Sequence, residues 1–103
     1  YAEVDEKIAI AAALYALVSD DRRAEYLTFV TDWLRPPPPG LTDSLLEGYW
    51  ERRWMAVVSL ERMCGAVEAV PLLESLRSEP GRKAWVDVQV PRVLMALRED
   101  HPR

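Results

Sequence analysis

One cysteine, one histidine and four glycines in 103 residues leave little material for several common kinds of protein chemistry. Cys64 alone cannot close an internal disulfide, so nothing points to a secreted disulfide scaffold, and a reducing, cytoplasmic setting is the default expectation. The sole histidine, His101, lies in the terminal "EDHPR", where chain ends fray; metal binding beside Glu99 and Asp100 is the subordinate reading. Glycine-rich phosphate loops, zinc-ligand spacings and calcium loops are all missing from the sequence. Long apolar runs are missing too: residues 8–18, "IAIAAALYALV", fall short of the roughly 20 that a membrane helix needs. Asp20 and Asp21 close that run, and it does not read as a signal peptide. Basic charge is outweighed, 13 Lys and Arg against 17 Asp and Glu for a net −4, which argues against unspecific nucleic-acid binding.

What is present is the composition of a folded domain. Half of the residues are apolar and 29% are charged, enough for one domain with a modest core. The expected fold class is all-α, as a single helical domain over 1–103. Its first residue is Tyr1 rather than methionine, which fits a processed protein or a piece of a longer one.

Residues 4–35 read as a first helical hairpin. Ala and Leu favour helix in the first arm, Asp5 and Glu6 suit its N-terminus, and the apolar arc is wide enough to need cover from more than one side. Residues 19–21, "SDD", stop one helix and cap the next. In the second arm Tyr26, Val30 and Trp33 line a stripe, with Leu27, Leu34 and Phe29 widening it. Four prolines and a glycine then break the helix, so 36–43 is a proline-rich loop, a stiff spacer in preference to a docking motif.

A second hairpin is expected over 44–77. Ser44 and Glu47 have the spacing of a capping box, Gly48 weakens the first turn, and Gly65 closes the helix. Pro71 is tolerable in the first turn of the return helix, whose Leu72, Leu73 and Leu76 should face the helix before it. Residues 82–99 are expected as a C-terminal helical segment, kinked or divided near Pro91. Taken alone, its "WVDVQV" alternates like an edge strand.

"AVPLLESLR" at 69–77 is echoed by "QVPRVLMALR" at 89–98, and the hairpin at 4–35 by that at 44–77. Echoes of this size mark helical solenoids. Residues 52–80, "RRWMAVVSLERMCGAVEAVPLLESLRSEP", resemble a HEAT repeat. Residues 59–64 match the end of that family's first helix, and 69–73 match the Ala-Val-Pro opening of its second. The resemblance implies antiparallel hairpins stacked as a short HEAT-like solenoid; the alternative is an irregular four- or five-helix bundle. It also implies scaffolding through protein contact and supplies no chemistry by itself.

No catalytic, cofactor-binding or metal-binding residues stand out, and Cys64 reads as a small buried hydrophobe. The carboxylate pairs sit at helix ends, where capping explains them. The expectation is a non-catalytic protein-interaction or scaffolding module that binds a protein partner or itself. Its alternative is an accessory or regulatory helical domain of an enzyme. "YWERRWM" is the candidate interface, through Tyr49, Trp50, Arg52, Arg53 and Trp54, because Trp and Arg anchor many interfaces. The competing reading packs Tyr49 and Trp50 under the proline loop and Trp54 into the joint between hairpins.

Overall fold

The computed structural model describes residues 2–18, 20–63 and 66–99. The expectations for Cys64, Gly65 and His101 therefore lie outside the described residues. Among the described residues five α-helices follow one another: α1 (Ala2–Tyr15), α2 (Asp20–Thr31), α3 (Asp43–Leu60), α4 (Val70–Arg77) and α5 (Val86–Glu99). Short 3₁₀ turns extend α2 at Asp32–Leu34 and precede α4 at Val67–Ala69.

Helix α1 carries Glu3 and Asp5 in its first turn, where carboxylates offset the helix dipole. It buries Ile8, Ala11, Ala12 and Tyr15 against α2 and α3, while Leu17 just beyond it stays 80% exposed. Arg23 of α2 ties the two helices together. Its Nε donates to the Tyr15 carbonyl at 3.0 Å, and its guanidinium lies 4.2 Å from the centre of the Tyr15 ring. At the far end of α2, the Thr31 hydroxyl donates back to the Leu27 carbonyl at 2.9 Å, and the helix tightens into its 3₁₀ turn.

Helix α3 is the hub, packing against α1, α2, the 3₁₀ turn at Asp32–Leu34 and α5. Thr42 caps it, its hydroxyl accepting from the Leu45 amide at 3.3 Å. The expected Ser44–Glu47 box does not form, because the helix begins at Asp43 and Ser44 already lies inside it. Gly48 does not fray the helix. Its bare Cα leaves room for Arg52, whose Nη1 folds back to donate to the Gly48 carbonyl at 2.7 Å.

Pro71 falls in the first turn of α4, where a missing amide hydrogen costs little. Helix α4 packs chiefly against α5 rather than against α3. The strand-like "WVDVQV" is helical for a legible reason. Val86, Val90, Val93, Leu94 and Leu97 form one buried stripe at helical spacing, whereas Val88 is 66% exposed. A strand would have placed Val86, Val88 and Val90 on one face. Burying each such side chain contributes about 1.5–3 kcal/mol, which outweighs local β preference and the hydrogen bond forgone at Pro91. Helix α5 runs through Pro91 without division.

These packings overturn the HEAT-like solenoid and the HEAT-repeat resemblance with it. A solenoid needs each hairpin to close on itself and then stack, but α3 and α4 do not form such a hairpin. Instead α5 returns onto both. The echoed segments 69–77 and 89–98 are packing partners rather than successive units, with Val70-Pro71 opening α4 and Val90-Pro91 inside α5. The radius of gyration, 13.4 Å, is close to the roughly 13 Å expected of a compact chain this long. The fold is a compact five-helix bundle. Among the described residues, no helix is long and apolar enough to cross a membrane.

Candidate functional site

The middle of α3 carries all five residues expected at the interface, and the structure divides them. Arg53 is fully buried. Its Nε donates to the Trp33 carbonyl at 3.0 Å, and its Nη2 to the Leu34 and Arg35 carbonyls at 3.1 and 3.0 Å. These carbonyls lie at the end of the 3₁₀ turn at Asp32–Leu34, where helix-end carbonyls take partners from outside the helix. Glu79, in the turn after α4, closes a two-pronged pair with Arg53 at 2.6 and 2.8 Å. One guanidinium thus pins three parts of the chain together.

Tyr49 and Arg52 build the wall beside this clamp. The Tyr49 ring meets Trp33 at 5.1 Å and 58°, and its hydroxyl donates to the Arg35 carbonyl at 3.2 Å, next to the proline run. Burial pushes the Tyr49 phenol above its usual value; Arg53 opposes that shift, while Glu79 and Asp32 reinforce it. Arg52 is buried, with its guanidinium 5.7 Å from the Trp33 ring.

Trp50 and Trp54 face elsewhere. Trp50 is buried and meets Trp85 edge-to-face at 6.2 Å and 78°. Trp54, one turn further along α3, is 41% exposed. Glu47 and Glu51 occupy the same face of α3, at helical spacing from the tryptophans. Lys83, in the turn before α5, reaches across to pair with Glu47. Together Glu47, Trp50, Glu51, Trp54, Lys83 and Trp85 line an open cleft of about 290 Å³.

This cleft is the strongest candidate site because it joins three indole rings to charged groups held by backbone elements already fixed in the bundle. Its α3 half lies within "YWERRWM" and the turn before it. Lys83 and Trp85 were missed by sequence reasoning: more than 30 positions separate them from Trp50, and only the return of α5 onto α3 joins them. Trp85 heads "WVDVQV" in the expected C-terminal helical segment, and nothing in that stretch states which helix it will meet.

One face of Trp50 is already taken by Arg53, whose guanidinium lies 4.4 Å from the ring centre. Glu79 answers that charge from behind. Among the described residues Glu51 makes no ion pair, so the cleft keeps one carboxylate beyond the Glu47–Lys83 pair. No group of three or more His, Cys, Asp and Glu among the described residues is placed to hold a metal ion. No protein-family model, curated protein or solved structure matches this chain.

Proposed function

We propose that this chain is a non-catalytic accessory or regulatory helical domain of an enzyme, and that it binds a ligand through the tryptophan cleft between α3 and the turn before α5. The observation that carries this reading is the convergence of Trp50, Trp54 and Trp85 with Glu47, Glu51 and Lys83 in one open concavity. Tryptophan offers large apolar contact area, and a few charged groups at the rim supply orientation. The scaffolding reading loses the stacked, curved face on which it depended, whereas a regulatory domain needs only a stable body and one site.

The indole N–H groups give a direct test. The chain has four tryptophans, and Trp33 lies outside the cleft. Amine, carboxylate and neutral fragments added to labelled protein should include some that shift the Trp54 and Trp85 signals and leave Trp33 in place. Fragments that never move Trp54 or Trp85 would contradict the reading.

A second reading, contact with a protein partner or self-association, is favoured by a different surface. Ile10, Leu14, Tyr26 and Phe29 line an apolar groove between α1 and α2, rimmed by Lys7 and Glu25. Sedimentation over a wide concentration range tests self-association there, which predicts a rising average mass that Phe29→Asp abolishes.

A further inference from the structure

We infer that the cleft of Trp50, Trp54 and Trp85 takes an organic cation whose charge sits on a methylated ammonium group, an inference that rests on the cleft being a ligand site. Three indole rings at one concavity favour cations, because the ring faces carry negative potential and indole is the strongest such partner. The Trp50 and Trp85 planes meet at 78°, so they form a corner rather than a flat stack, and Trp54 adds a third ring. Since Arg53 occupies one face of Trp50, attraction for a cation falls mainly to Trp54, Trp85 and the carboxylates.

The carboxylates decide the sign of the ligand. Glu47 and Glu51 stand one helical turn apart on the lining, and Lys83 answers only Glu47. An anion would meet uncompensated Glu51, and a neutral ligand would leave it unanswered. The chain as a whole also carries −4. The aromatic lining decides the type of cation. A primary ammonium brings three donors that need acceptors, whereas a methylated one spreads its charge over carbon and tolerates indole walls. A cleft of about 290 Å³ suits a head group rather than a large ligand. Two sources share this chemistry, a small free quaternary amine and a trimethylated lysine side chain.

The test titrates the labelled chain with choline, with the neutral isostere in which carbon replaces the choline nitrogen, and with a short peptide carrying either trimethyllysine or lysine. The four indole signals are the readout. Choline or the trimethyllysine peptide should shift Trp54 and Trp85 and spare Trp33, with the neutral isostere or unmodified peptide about fivefold weaker. Choline alone identifies a free amine as the source, and the peptide alone identifies a side chain. Trp54→Leu and Glu51→Gln, both exposed positions, should each weaken binding about fivefold without changing helicity. Lys83→Gln should strengthen it, since it frees Glu47 and removes a competing cation. Equal binding by the neutral isostere would overturn the cationic assignment while keeping the cleft as a ligand site. If the fragments of the preceding test also leave Trp54 and Trp85 unmoved, the site itself fails.

Discussion

Arg53 illustrates how one side chain can change roles between a helical wheel and a fold. As sequence, it is half of an arginine pair beside two tryptophans. In the bundle it is a fully buried cation with three carbonyl acceptors and a carboxylate. Removing one partner of a buried pair leaves the other uncompensated, at a cost of about 3–5 kcal/mol. Arg53→Met should therefore lower stability by about that amount in urea unfolding, and Glu79→Gln by less because its partner keeps the carbonyls. A change under about 0.5 kcal/mol for Arg53→Met, the scale of ordinary surface substitutions, would contradict the clamp. Tyr49 reports on the same place. Its phenol is raised by burial, so the folded state holds that proton more tightly than the unfolded chain. The stabilisation linked to it is complete below the unfolded phenol value and is lost as pH rises through the folded one, above about pH 10. Tyr49 should ionise late in an absorbance titration of the phenolate. Tyr49→Phe should lower the late amplitude by one phenol; an unchanged late amplitude would contradict the assignment.

At the scale of elements, the caps separate two accounts of how α3 begins. Thr42 holds the Leu45 amide, so Thr42→Ala should cost about 1 kcal/mol, while Ser44→Ala should stay within about 0.5 kcal/mol. The reverse order, in thermal or urea unfolding, would restore the Ser44–Glu47 box. Ser44 was the natural choice from sequence because the S-x-x-E spacing is visible there, and Thr42 lacks a matching acid three positions on. Glu47 is instead engaged by Lys83, a pairing that local spacing cannot reveal. Helix α5 shows the opposite case. Its buried stripe from Val86 to Leu97 is fully present in the sequence. Residues 85–90 alone would hide it, since three alternating valines look like a strand until Leu94 and Leu97 are counted. The α3 side of the cleft was legible for the same reason, as helical spacing gathers Glu47, Trp50, Glu51 and Trp54. Trp85 was not, because nothing local states where α5 will land.

For the whole molecule, the decisive feature is that α5 packs against both α3 and α4. The same arrangement turns an apparent repeat into a closed bundle and carries Trp85 to Trp50, so fold and cleft stand or fall together. Short-range proton contacts measured by NMR test both at once. Cross-peaks should join the Trp50 and Trp85 indoles, and others should join the Glu47 side chain to Lys83. Contacts of α5 with α4 alone, with Trp85 showing none to α3, would restore an open stack and remove the cleft.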